Sequence, residues 1–161
     1  MKGQIGVVFQ GKSIGDVKSA MQLYKSADMK IKNLHCRKPN LVYYLICENC
    51  PSGVTPHYTG SSVGFPARFS KHKNDMIKGV GKCCGFCAHW KTHHKNNYSD
   101  LSHLKIYFLD SCENPGSKEE GYPVLRHLED QWMVQMGSLG AIDPHQGCNK
   151  KDDAKADAWK T

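Results

Sequence analysis

The run Leu41-Val42-Tyr43-Tyr44-Leu45-Ile46 is the strongest strand signal in this chain. All six residues are apolar or aromatic, and such residues are favoured on the pleated, buried surface of a sheet. A stretch of turn-forming residues follows at 51–56, and residues 57–60 then predict a second, shorter strand. These two strands are expected to be neighbours in one sheet.

The remaining elements are predicted from the spacing of apolar residues on both sides of this pair. Apolar residues recur every three or four positions in a helix and every two in a strand. The predicted elements are strands over residues 5–9 and 104–109, and helices over residues 14–24, 65–77 and 124–136. Glycines at positions 79, 81 and 85 predict a loop. The expected fold is α/β, more closely α+β, with a small, mostly antiparallel, three-stranded sheet flanked by helices.

Length, composition and charge narrow the class of protein. The 161 residues suit one domain, and a hydrophobic content of 39% supplies a core. No apolar run approaches the roughly 20 residues of a membrane-spanning helix, and the start of the chain does not resemble a signal peptide. Lys and Arg outnumber Asp and Glu by 22 to 15, which favours an anionic partner. We expect an approach segment over 1–40, one domain over 41–149 and a charged tail over 150–161.

Eight cysteines and nine histidines in a chain without a signal peptide favour a metal site over disulfides. Cys47 and Cys50 have the spacing of zinc ligands, and His89 precedes His93 and His94 by distances that also suit zinc. A second cysteine pair with the same spacing offers two alternatives: a four-cysteine site formed with Cys47 and Cys50, or a second metal ion. The second pair is Cys84 and Cys87, and Cys83 lies next to it.

A second set of polar residues has no explanation in the apolar pattern. In chain order, the set comprises Tyr43, Tyr58, Gly60, Arg68, His72, Glu129 and Asn149. Each residue alone has an ordinary structural explanation; Glu129, for example, can pair with Arg126 one helical turn earlier. The order and spacing of the whole set are much more specific than any single member.

This ordered set resembles the GIY-YIG nuclease superfamily. Residues 41–43 stand at the GIY triplet, with Leu41 in place of its glycine, and residues 58–60 stand at the YIG triplet. The resemblance extends from residue 41 to residue 149. Two cysteines lie between the triplets, and two histidines follow the helix predicted over residues 65–77. These features make the chain most similar to the endonuclease domain of Penelope-like retroelements. The stretch from Val7 to Ile14 also resembles the segment that precedes that domain.

The resemblance implies a GIY-YIG fold with a structural zinc, and roles for the polar residues. It places zinc on Cys47, Cys50, His89 and His94, with His93 as the alternative fourth ligand. Arg68 would bind the phosphate, and Glu129 would hold Mg²⁺ or Mn²⁺. Tyr43 would activate or position the attacking water with the support of Tyr58, while His72 is the competing general base. Asn149 would hold the active site or the phosphate by hydrogen bonds.

The implied function is that of a DNA endonuclease that nicks target DNA to prime reverse transcription. Its partners would be DNA and the reverse transcriptase domain of the same element, in the nucleus and without a membrane. Residues 66–95 contain seven Lys or Arg and one acid, which predicts a surface for the DNA backbone. The lysines expected on that surface are Lys71, Lys73, Lys78 and Lys82.

Two other functions are compatible with the same residues. The first is a stand-alone GIY-YIG nuclease for repair, homing or restriction, which shares the chemistry. The second is a zinc-stabilised nucleic-acid-binding module without catalysis. The single carboxylate Glu129 argues against the second, because a binding module has no need of it.

Overall fold

The computed structural model describes residues 6–10, 34–48, 50, 53–78, 85–95, 101–138 and 148–149. These residues form an α+β fold in which an antiparallel sheet is flanked by helices. The strands are β1 (Gly6–Gln10), β2 (Leu41–Cys47), β3 (His57–Ser62) and β4 (Leu104–Ser111). The helices are α1 (Phe65–Lys78), α2 (Gly85–His93) and α3 (Pro123–Gln135). None of these three helices is long and apolar enough to cross a membrane.

Strand β2 lies inside the sheet and pairs on both sides. The strand order is β1-β4-β2-β3, and every pairing is antiparallel. Tyr44 lies opposite Thr59 on one side and opposite Tyr107 on the other. Both faces of β2 are covered, which is why its residues are almost all apolar instead of alternating with polar ones.

The sheet has one strand more than the three expected. Residues 5–9 were predicted as a strand, but in an approach segment apart from the sheet; the observed β1, Gly6–Gln10, pairs with β4. The predicted helix over 14–24 lies outside the described residues. Strands β3 and β4 each extend two residues beyond their predicted ends, because ladder pairing continues after the apolar pattern stops.

Helix α2 was not predicted, because the glycines around it indicated a loop. Gly85 is the first residue of this helix, not the end of a loop. Phe86 and Trp90, one turn apart, are both fully buried and anchor the helix in the core. That apolar pair was the available sequence signal, and in a helix of 9 residues it is a short one.

The two faces of the sheet pack against different helices. Tyr43 and Leu45 belong to the larger core, which also contains buried residues of α1 and α2. Val42 and Tyr44 belong to a smaller cluster with Leu125 of α3. Successive side chains of a strand point to opposite faces, so β2 separates the helix that carries Arg68 from the helix that carries Glu129.

Candidate active site and metal site

Tyr43, His72 and Arg68 form one hydrogen-bonded group beside the centre of the sheet. The Tyr43 hydroxyl oxygen lies 2.8 Å from His72 Nε2, and Arg68 Nε donates to the same oxygen at 3.4 Å. Arg68 and His72 reach it together because they lie four residues apart on α1, on one face of the helix. The ring of Tyr58 lies 5.7 Å from that of His72, centroid to centroid. The four residues predicted as neighbours are therefore in contact.

Gly60 is opposite Tyr43 in the β2–β3 pairing, and its lack of a side chain makes room for the tyrosine. A Cβ atom at this position would lie 2.6 Å from the Tyr43 hydroxyl oxygen and 2.8 Å from the ring of Tyr58. Both distances are well inside van der Waals contact. A larger residue would therefore displace the two tyrosines that the group requires.

The tyrosines also bear on the charge of Arg68. Burial by itself would lower the pKa of Arg68, but the hydrogen bonds and charges of Tyr43 and Tyr58 outweigh burial and raise it. The guanidinium is therefore held as a fixed positive charge, as arginine is in almost any protein.

Glu129 lies on α3, on the other side of the sheet edge. Its carboxylate accepts a hydrogen bond from the Ser61 hydroxyl of β3, and Arg126 Nη1 lies 3.7 Å from its Oε2. The residue is only 4% exposed. Burial raises the pKa of Glu129, although Ser61 and Arg126 oppose this shift, as does the more distant charge of Arg68.

The two groups meet at a cavity of about 310 Å³ at the edge of the sheet. Arg68, from the group with Tyr43 and His72, lines one side of the cavity. Ser61 and Arg126, the neighbours of Glu129, also line it. The guanidinium of Arg68 on α1 therefore borders the same cavity as the residues that contact the buried carboxylate of Glu129 on α3.

Tyr122, at another wall of this cavity, has an unusual backbone conformation. It precedes the first helical residue, Pro123, with φ 56° and ψ 61°, and its side chain caps no backbone amide. The carbonyl of Pro115 accepts from the amides of Val124 and Leu125 instead. The left-handed conformation costs a residue with a side chain about 1–2 kcal/mol.

Asn149 holds strand β3 by its side chain. Its Oδ1 accepts from the amide of Thr59 at 2.9 Å, and its Nδ2 donates to the carbonyl of Thr59 at 2.8 Å. The amide of Cys148 donates to the carbonyl of His57 in the same strand. Of the two roles predicted for Asn149, this geometry suits support of the active site, because both ends of the amide are already used.

Cys47, Cys50, His89 and His94 form a separate group that could hold a metal ion such as zinc. One ligand atom from each lies within 4.8 Å of those of the other three. The S···N distances are 3.4 Å for Cys47–His94, 3.3 Å for Cys50–His89 and 3.5 Å for Cys50–His94. Zinc bond lengths give a tetrahedral S···N edge of about 3.5 Å. The group therefore fits a four-coordinate zinc in size and donor type.

The geometry distinguishes between the fourth ligands left open by the sequence. His94, just beyond the end of α2, belongs to the group, whereas His93 is exposed. The ring of His94 stacks on that of Trp90 with centroids 3.9 Å apart, which fixes its orientation. Cys87 is directed elsewhere, with its sulfur 4.0 Å from His72 Nδ1. Cys83 and Cys84 lie outside the described residues.

The protonation of this group is set by burial. Burial, followed by the charges of His93 and His94, lowers the pKa of His89 to about 4, which leaves the imidazole in its neutral, ligating form. Burial and the neighbouring Cys50 raise the pKa of the Cys47 thiol. Metal binding must therefore displace a proton from a buried thiol, which makes it dependent on pH. No two cysteines within the described ranges form a disulfide.

Several residues around the site were not predicted. Ser61, Tyr122 and Cys87 were not assigned to the active site, and Arg126 was considered only as a partner for Glu129. Their positions depend on how β3, α2 and α3 pack together, which local patterns do not encode. Of the lysines expected to bind DNA, Lys71 and Lys78 are exposed on α1 and Lys73 is half-buried, while Lys82 lies outside the described residues.

Comparison of the chain with protein-family models, with curated proteins and with solved structures found no match. The residues and distances given above therefore carry the functional inference.

The buried carboxylate of Glu129 makes a prediction for stability. A raised pKa stabilises the folded protein below the ordinary glutamate range, and this contribution is lost as pH rises through the raised pKa. Without added Mg²⁺, Glu129→Gln should therefore melt a few degrees above the parent chain near pH 8. The difference should shrink towards pH 5. Equal melting temperatures of the variant and the parent chain at both pH values would show that ionisation of Glu129 does not destabilise the folded protein.

Proposed function

We propose that this chain is a metal-dependent DNA endonuclease of the GIY-YIG type, which hydrolyses phosphodiester bonds. The observation that carries the proposal is the cavity bordered by Arg68, beside the Tyr43–His72 pair, and by Ser61 and Arg126, beside Glu129. In a retroelement, its role would be to nick target DNA in the nucleus, where the reverse transcriptase domain of the same element uses the new end as a primer.

The Tyr43–His72 pair accounts for activation of the nucleophile. The Tyr43 proton passes to His72 Nε2 across the 2.8 Å hydrogen bond, and the phenolate oxygen then takes a proton from the attacking water. The water oxygen bonds to phosphorus as the bond to the leaving oxygen breaks, and that oxygen is protonated by solvent. His72 then releases the proton it took from Tyr43 to solvent, which restores the starting state. Arg68 donates to Tyr43 in the resting state and can also bind phosphate oxygens.

Glu129 suits a divalent metal such as Mg²⁺ or Mn²⁺. Such ions commonly bind through one or two carboxylates, with waters and phosphate oxygens completing the shell. Burial raises the pKa of Glu129 in spite of Ser61 and Arg126, so a divalent cation bound there would stabilise the ionised form of the carboxylate. When bound there, the ion would neutralise charge on the phosphate.

The Cys47–Cys50–His89–His94 group is proposed as a structural zinc site. It connects the end of β2, which carries Tyr43, to helix α2 and the residue after it. Four protein ligands leave no position for water or phosphate, so the ion would take no part in the reaction. Cys87, two residues before His89 on α2, is near His72, so the same helix meets both sites.

The test of function is cleavage of supercoiled plasmid by the full chain with added Mg²⁺ or Mn²⁺. The expected result is conversion to the nicked form only when the divalent ion is present. DNA binding without cleavage under these conditions would favour the non-catalytic module instead.

Arg68 provides a prediction within this assay. Arg68→Ala should lower the cleavage rate on the order of 10²-fold or more, because a charge held against the phosphate is lost. Arg68→Lys should recover only part of the rate, since an ammonium cannot bind two oxygens as a fork and cannot repeat the bond to Tyr43. Arg37→Ala removes an exposed arginine that does not line the cavity; it is the control and should cleave like the parent chain. A fully active Arg68→Lys would show that charge alone suffices.

A further inference from the structure

The cavity between the two groups has the dimensions of a small ligand site. Its volume of about 310 Å³ lies at the lower end of the range of roughly 300–1,000 Å³ found for small-molecule sites. That space is enough for a ligand of the size of one nucleotide. DNA could occupy it with a single unstacked nucleotide.

The charge of the cavity favours a phosphate. Arg68 comes from α1 and Arg126 from α3, and none of the described residues that line the cavity is acidic. The side chain of Arg126 is 54% exposed, and only its Nη1 is within 4 Å, at 3.7 Å, of the buried carboxylate of Glu129. The guanidinium therefore has other donors that can bind a phosphate, opposite Arg68, while Nη1 stays beside Glu129.

The rest of the lining combines small residues, Ser61, Ser62 and Gly121, with apolar and aromatic ones. Val63 is 41% exposed, and Tyr122 and Leu125 line the cavity beside it. Tyr122 keeps a ring at this place although its φ of 56° would suit glycine better. An aromatic ring at a cationic cavity is the arrangement by which proteins stack unpaired bases.

We propose that this cavity binds one unpaired nucleotide of the DNA strand that is cut, next to the reacting phosphate. Its phosphate would lie between Arg68 and Arg126, and its base would stack on Tyr122. The inference rests on the proposed nuclease function and adds the substrate class: DNA in which a nucleotide at the cut site is single-stranded or readily unstacked.

The test compares two labelled single strands of equal length, oligothymidylate and its abasic counterpart, by fluorescence anisotropy without added divalent ions. The parent chain should bind oligothymidylate about tenfold more tightly than the abasic strand. Tyr122→Ala should bring this ratio close to one, and Tyr122→Phe should preserve it. Arg126→Gln should weaken the binding of both strands equally. It should also lower the salt dependence of the binding constant by about one released counterion.

Tyr122→Gly separates binding from folding. Glycine relieves the left-handed strain, which offsets the packing that the Tyr122 ring loses against the cluster containing Val42 and Leu125. The variant should therefore melt close to the parent chain and still lose the preference for oligothymidylate. Equal binding of the two strands by the parent, or an unchanged ratio in Tyr122→Ala, would overturn the nucleotide site. Neither result would bear on the nuclease proposal, which plasmid cleavage tests separately. If the protein does not cleave plasmid but keeps its preference for oligothymidylate, the nuclease proposal is rejected and the nucleotide site is retained.

Discussion

Glu129→Gln should abolish plasmid cleavage, with a loss on the order of 10³-fold, while the protein stays folded and still binds DNA. The amide has the shape of the carboxylate, so Ser61 can still donate to its oxygen. It lacks the negative charge that holds a divalent cation. The chemistry is lost, but the packing of α3 against β3 is retained.

The measurement is the rate of nicking over a range of Mg²⁺ concentrations, with DNA affinity measured in parallel. Glu119→Gln removes the same charge from an exposed position on the loop before α3 and should cleave like the parent chain. If Glu129→Gln nicks at the parental rate at every concentration, Glu129 is not the metal ligand.

Cys47→Ser should remove about one equivalent of zinc and unfold much of the domain. Apparent binding free energies of structural zinc are about 10–16 kcal/mol in small zinc-binding peptides, similar to the whole stability of a small domain. Cys47 is fully buried at the end of β2, and its partner His94 lies beyond α2. Loss of the ion would therefore detach α2 from the strand that carries Tyr43.

Elemental analysis and thermal melting of a set of variants test this prediction. His94→Ala should lose the metal, while His93→Ala, at an exposed position, should keep it. Cys112→Ser serves as the thiol control, because Cys112 packs with the cluster on the other face of the sheet. If Cys84→Ser removes the metal and His94→Ala does not, a four-cysteine site replaces the proposed one.

The central part of the fold could be predicted because local sequence determines it. The apolar run of β2 and the helical spacing of α1 and α3 each identify an element without knowledge of its partners. The zinc-type spacing of Cys47 and Cys50 likewise needs no tertiary information. These predictions agree with the structure to within two residues at the element ends.

The remaining features depend on contacts between distant segments. The pairing of β1 with β4 joins residues about one hundred positions apart, and no local pattern specifies it. The choice of His94 over His93 depends on where α2 ends. The cavity beside Glu129 depends on a left-handed residue, Tyr122, that propensity alone would not place there.

The hydrogen bonds of Asn149 have a consequence for the behaviour of the protein in solution. Strand β3 is at the edge of the sheet, and the side chain of Asn149 occupies the outward amide and carbonyl of Thr59. An uncovered strand edge is a template on which a second molecule can add a strand. A chain shortened to end before residue 148 would expose this edge and should aggregate, which light scattering would detect, whereas a chain ending after residue 149 keeps it covered.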